Sequence, residues 1–392
     1  MRRDLLKDFS IVLQTHIEMT SEHHMEQHQK HTNLQRRDND TFAPNEIAIL
    51  GTKCDTISNL VQQVSDKLSK YQLAYFDASH KKDVQENNLS SFVFHHKGNL
   101  NIDSSGAINK FNQRLQFSQY DYVFINGNHY QGSKQILILD PTKEASVLKR
   151  LEELDNIQLV VKLTDNTKFF SFLEERYPKI KSLACYTIDE IEKISKHIKR
   201  LIQEKAASIN GLVLIGGKST RMGANKSDLT YFDKPQKEHV KELLESQNLN
   251  TFYSVEKASV NLNEIHDTFL NLGPFGGICS AFQKDPNSAW LVLATDLPFV
   301  NKELISLLLE NRNPSKIATA IKGKGKQFPE PLITLYEPKA YPVLLQYLAQ
   351  GYSCPRKVLI NSDVEIIEVD DDLIRNVNTP EEFELAKREI NS

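Results

Sequence analysis

Gly216, Gly217, Lys218, Ser219, Arg221, Gly223 and Lys226 follow the apolar run Gly211–Ile215 without interruption. A short branched run of this kind makes a buried strand. A strand that opens into glycines, a hydroxyl and cations is suited to phosphate. The glycines let backbone N–H groups come close to an anion, and the cations neutralise it. A Walker A loop would need its first glycine at Leu212, so Gly217-Lys218-Ser219 does not complete one. A second chemical group stands further on. Trp290–Thr295 reads as a fully apolar strand, and Asp296 closes its carboxyl end. Ligands of open parallel sheets bind outside the carboxyl ends of strands. A lone carboxylate there suits magnesium, which prefers one or two carboxylates plus substrate oxygens. Asn301, rather than Asp296, is placed to cap the following helix.

The loop resembles the signature GGxSxRMGxxK of nucleotidyltransferases, and within them that of the molybdenum cofactor guanylyltransferases. Gly216, Gly217, Ser219, Arg221, Met222, Gly223 and Lys226 fill every fixed position. Asp267 ahead of Leu272-Gly273-Pro274-Phe275-Gly276-Gly277-Ile278 resembles the family's Asp…GPLxGI segment. Pro329-Glu330-Pro331-Leu332 matches its proline-rich strand entry, and Arg375–Glu382 matches NVNTPEEL. This likeness covers nearly all of residues 208–392. It implies a Rossmann-like α/β fold with a mostly parallel sheet, and transfer of GMP from GTP to molybdopterin with release of pyrophosphate. Arg221, Lys226 and Asp296 then carry catalysis. Ile215, Gly216, Gly217, Ser219, Arg221, Lys226, Asp267 and Asp296 surround the nucleotide. Asp296 and Asn378 hold Mg²⁺, and Arg356, Asn376 and Asn378 meet the pterin substrate. Molybdoenzymes or their chaperones are the expected recipients of the product.

Thr379-Pro380 with Glu382 also reads as an ordinary helix start. That accounts for Thr379–Glu382 but leaves Asn376 and Asn378 unexplained. The family's Asn-Arg pair after the second strand is replaced by Ser254-Val255-Glu256-Lys257. Related alternatives therefore stay open: a cytidylyltransferase for the same cofactor, or a sugar-phosphate nucleotidyltransferase. Those relatives carry Ala-Gly where this chain has Gly216-Gly217. A non-catalytic cofactor scaffold is the rival of another class, and it would have no use for a magnesium carboxylate.

Composition bounds the rest. The 392 residues suggest two or three domains, 40% apolar and 25% charged residues are those of a globular protein, and the net charge is −3. Neither nucleic acid nor a membrane is expected as partner. Cys54, Cys185, Cys279 and Cys354 lie far apart, which fits free thiols and a cytoplasmic location.

Residues 1–44 are polar, with His16, His23, His24, His28 and His31, and read as a disordered tail within which Met25 offers a second start. Residues 45–205 form the next expected domain, also α/β. Ile47–Leu50 reads as a strand, followed by Gly51 and a helix carrying Ile57, Leu60, Val61, Val64 and Leu68. A Walker A loop laid on Gly51–Ser58 has Thr56-Ile57 in place of Gly-Lys, so nucleotide binding is not expected there. With strands at Tyr122–Asn126 and Gln135–Leu139, this part resembles molybdopterin-guanine dinucleotide biosynthesis protein B. Asn126-Gly127 stands where that family has an acidic strand end. A helix over Leu148–Leu154, a strand over Ile157–Leu163 and a helix over Ile188–Ile202 complete the expectation, with a boundary near Ala206.

Overall fold

Apolar runs separated by turn residues build two sheets. The computed structural model describes residues 42–79, 90–95, 100–104, 110–215, 226–256 and 263–391. The N-terminal histidines and the loop 216–225 lie outside them.

The first part contains β1 (Glu46–Leu50), β2 (Leu73–Phe76), β3 (Ser91–Phe94), β4 (Leu100–Asp103), β5 (Tyr122–Asn126), β6 (Gln135–Leu139), β7 (Ile157–Lys162) and β8 (Ala184–Thr187). Six of these form a parallel sheet in the order β2-β5-β1-β6-β7-β8, while β3 and β4 pair only with each other. The helices are α1 (Cys54–Lys67), α2 (Lys110–Phe117), α3 (Glu144–Leu148), α4 (Ser171–Arg176) and α5 (Ile191–Gln203). Ile57, Leu60, Val61 and Val64 recur at helical spacing on α1 and pack with Ile194, Ile198, Leu201 and Ile202 of α5 against β1, β5 and β6. Covered on both faces, β1, β5 and β6 are buried at every residue, which is why they read as unbroken apolar runs.

The second part contains β9 (Ile209–Leu214), β10 (Asn250–Val255), β11 (Glu264–His266), β12 (Ala289–Ala294), β13 (Ala318–Gly323), β14 (Glu330–Tyr336) and β15 (Val364–Val369). Their order is β11-β10-β9-β12-β14-β13-β15, parallel except for β14, which runs against both neighbours. Its helices are α6 (Gln236–Glu245), α7 (Pro274–Lys284), α8 (Lys302–Glu310), α9 (Ala340–Ala349), α10 (Pro355–Ile360) and α11 (Pro380–Ile390). Asn301 caps α8 by accepting from the Leu304 amide, and Thr379 and Glu382 form a capping box on α11.

The two sheets belong to one unit. Lys339 Nζ donates to Asp121 Oδ1 at 2.8 Å, and Gln72 Nε2 to Asp363 Oδ2 at 3.1 Å, across the join. Among the described residues no helix is long and apolar enough to cross a membrane.

Two expectations need correction. The helix over Leu148–Leu154 does not form: α3 ends at Leu148, and a separate 3₁₀ turn covers Leu151–Glu153. Arg150 at the break donates to the Gly127 and Asn128 carbonyls, at 2.8 and 2.6 Å. The packed chain also begins before residue 45. Ala43 is buried, and Phe42 meets Phe76 with ring centroids 4.9 Å apart.

Candidate functional site

β9, β10, β11 and β12 are parallel, so their carboxyl ends share one rim. Ile215, Glu256, Asp267 and Asp296 stand just past those ends. Asp296 gains its surroundings from β14. Leu293 pairs with Ile333 in antiparallel register. Glu330, the first residue of β14, lies near the end of this pairing, close enough to Asp296 for the two charges to act on each other. Two carboxylates thus meet at the rim. Burial raises the Glu330 carboxyl above the usual carboxylate range; Asp296 adds to this, and the Arg356 guanidinium opposes it. Arg356 Nη2 donates to Glu330 Oε2 at 2.9 Å, which holds this side chain of α10 at the site.

The 375–378 segment reaches the same place through its backbone. The Val377 amide donates to the Asp296 carbonyl at 2.9 Å. Val377 is buried beside Tyr231 and Ala386, while Asn378 next to it is exposed. The Asn378 amide is bound by Glu382 Oε2 at 2.6 Å, which ties the segment to the start of α11. Tyr231 stands close enough to Asp296 for its hydroxyl to be pushed up by burial and then by that charge. Arg375 lies over the Phe299 ring at 4.2 Å.

Asp296, Glu330 and Arg356 are therefore brought together, with the Val377 backbone beside Asp296. Asp267 is not among them, because β10 and β9 lie between, a separation of about 14 Å at ordinary strand spacing. It accepts from Ser254 Oγ at 2.7 Å, and burial raises its carboxyl. The glycines of the Leu272–Ile278 segment have a packing role. A Cβ on Gly276 would meet the Phe269 carbonyl at 2.3 Å, and one on Gly277 would meet Ser254 Oγ at 2.6 Å. The loop from Gly216 through Arg221, with Gly217 and Ser219, lies outside the described residues. Its two ends are Ile215, at the tip of β9, and the 3₁₀ turn Lys226–Asp228.

Glu330 is the residue that sequence reasoning missed. Its signal was a charged residue opening an otherwise apolar strand. Among the described residues no three His, Cys, Asp or Glu side chains gather as a metal cage. The donors at the rim are carboxylate and amide oxygens, which suit a hard cation that keeps part of its shell for substrate.

In the first sheet only Gly51, Thr52 and Lys53 separate β1 from α1, a connection shorter than a Walker A loop.

A MobA-like NTP transferase domain model matches residues 211–365. The chain is 28% identical over 251 residues to a "Molybdenum cofactor biosynthesis bifunctional protein" of Synechocystis, covering 59% of this chain and 72% of that one. That span exceeds residues 208–392, so it reaches into the first part. A "Probable molybdenum cofactor guanylyltransferase" of Carboxydothermus hydrogenoformans is 32% identical over 183 residues, with 44% of this chain and 91% of that one covered. A crystal structure of molybdopterin-guanine biosynthesis protein B aligns with 40% of this chain and 99% of its own length, at 15% identity and a TM-score of 0.28.

Proposed function

This chain belongs to the molybdenum cofactor guanylyltransferases, which are nucleotidyltransferases, and from that premise we propose that it transfers GMP from GTP to molybdopterin. The terminal phosphate of the pterin attacks the α-phosphorus in line, and pyrophosphate leaves. What supports this most is the rim on which Asp296, Glu330 and Arg356 gather, with the Val377 amide on the Asp296 carbonyl, beside Ile215 where the glycine-rich loop begins.

In this reading Arg221 and Lys226 hold the triphosphate. Gly216 and Gly217 present backbone to base and sugar, with Ile215, Ser219 and Asp267 along the same pocket. Arg356, kept in place by Glu330, meets the pterin phosphate together with Asn376 and Asn378. Mg²⁺, held by Asp296 with Asn378 as second contact, would neutralise charge on the phosphates. Catalysis is then positioning and charge neutralisation, with no covalent enzyme intermediate.

Asp296→Asn tests it. Pyrophosphate release from GTP and molybdopterin should fall by roughly a hundredfold or more while the fold is kept. Turnover near the wild-type rate would remove Asp296 from the mechanism.

A cytidylyl reading is favoured by one observation. The second-strand edge carries Ser254, which is engaged with Asp267, in place of the family's Asn-Arg pair. Competition between GTP and CTP separates the two.

A further inference from the structure

The carboxyl rim of the first sheet has lost its phosphate loop and carries a different set of groups. Cys54 is the first residue of α1, a helix of 14 residues, so its sulfur sits at the positive end of the helix. The β5–β6 connection lays His129 against it, with Cys54 Sγ and His129 Nε2 3.4 Å apart. Asn128 Nδ2 stands 3.7 Å from the same sulfur and donates to the Thr52 carbonyl at 2.8 Å. Arg150 fixes this connection by donating to the Gly127 and Asn128 carbonyls.

The imidazole has a carboxylate on its other flank. Asp77, just past β2, brings Oδ1 to 3.8 Å from His129 Nε2. The Tyr75 hydroxyl and the Ala78 amide donate to Asp77 at 2.8 and 2.7 Å. Burial would raise this carboxyl, but its contacts with Asn126, Tyr75 and Ala78 outweigh that and hold it below the usual range. Cys54 Sγ therefore has an imidazole nitrogen within reach, a side-chain amide at 3.7 Å and a helix N-terminus behind it. That is the environment of a reactive thiol.

We propose that Cys54 and His129 form a nucleophilic thiol site at this rim, taking uncharged soft electrophiles where a phosphate loop would take a nucleotide. The charge distribution sets the ligand class. Asp77 and Asp140 line the rim, Asp140 held there by Thr52 Oγ1 at 2.7 Å, and two carboxylates disfavour an anion. Lys53, just ahead of α1, and Asp55, its second residue, flank Cys54, are both exposed, and are opposite in sign. In the reaction the thiol proton passes to His129 Nε2, sulfur bonds to the electrophilic carbon, and the leaving group departs with the bonding pair. The imidazolium then returns its proton to solvent.

The test is pulse alkylation of the full chain with iodoacetamide, from about pH 5.5 to 8.5, read by mass spectrometry at each cysteine. An ordinary thiol gains about tenfold in rate per pH unit below its pKa. Cys54 should show a much flatter profile, and near pH 6 should outpace the exposed Cys354 by roughly tenfold. Anionic iodoacetate should show a smaller advantage. His129→Gln should restore the ordinary slope at Cys54, while half-buried Cys185 on β8 stays slow and reports that the sheet is intact. A wild-type Cys54 that tracks Cys354 across the range overturns the proposal without any variant. So does a His129→Gln protein whose Cys54 labels as in wild type.

Discussion

Asp296 acts on the Glu330 carboxyl at the end of the antiparallel β12–β14 pair, and Arg356 answers the second of these charges. The reversal of β14 is what makes this possible. A parallel neighbour would bring its carboxyl end to the rim, whereas β14 brings its first residue. Glu330→Gln keeps the shape and removes the charge that holds Arg356. Arg356 is about half exposed, so the pair is screened and contributes about 1 kcal/mol. On the proposed assignment, KM for molybdopterin should rise roughly fivefold with KM for GTP unchanged. Equal effects on both substrates in steady-state kinetics would place Arg356 elsewhere.

The join between the sheets makes a second prediction. Lys339 Nζ is 2.8 Å from Asp121 Oδ1, and both side chains are largely buried. Lys339 also donates to the Ser315 carbonyl at 3.1 Å, while Asp121 keeps a bond from the Gln72 amide at 2.8 Å. Lys339→Met should therefore lower stability by about 2 kcal/mol, somewhat less than for a fully buried charge left alone. Urea denaturation measures it, and a change within about 0.5 kcal/mol would show that the pair is dispensable.

Acid sensitivity follows from two histidines. Burial lowers the affinity of His197 for protons, helped by Arg200, and burial with Lys234 does the same for His239. The unfolded chain then binds protons more readily than the native one. Stability from this source is full above the ordinary histidine value and is lost as pH falls below it. His197→Asn and His239→Asn should each flatten that acid limb in thermal melts between about pH 5 and 7. An unchanged slope in both would contradict the assignment.

Much of this architecture can be read from local sequence. Tyr122–Asn126 and Gln135–Leu139 are strands at the residues expected, because turn residues bound each apolar run. β13 was missed: Ala318–Gly323 mixes small and polar residues, and its burial comes from β14 and β15 on either side. Asp296 was legible as the polar end of an apolar strand. Glu330 was not, since its place beside Asp296 depends on a register between strands far apart in sequence. Gly276 and Gly277, part of a motif read for its ligand, also have an immediate packing role that only the assembled fold reveals.

GTP should bind at a single site per chain. The three-residue β1–α1 connection of the first sheet is shorter than a Walker A loop, and Asp77 and Asp140 oppose an anion there. Calorimetric titration of the full chain should give one site, and Lys226→Ala should weaken it by tenfold or more, about 1.4 kcal/mol. A second site that survives in Lys226→Ala would restore nucleotide binding to the first sheet.

The choice of base rests on opposing features. Gly216 has no side chain, which on the proposed assignment leaves room for a purine at the end of β9. Against it, Ser254 stands at the second-strand edge in place of the family's Asn-Arg pair, and its hydroxyl is spent on Asp267 at 2.7 Å. Ser254 also packs against α7, where only a glycine at 277 fits, so it has little freedom to turn toward a ligand. A site that lacks one partner for a base discriminates less, and a matched hydrogen bond contributes on the order of 1 kcal/mol, several-fold in binding. GTP should therefore remain preferred over CTP, by a margin of that reduced size. Gly216→Ala should narrow it further by crowding the purine, with CTP use retained. Competitive kcat/KM measurements on both proteins decide the matter, and a wild-type preference for CTP would place this chain on the cytidylyl branch.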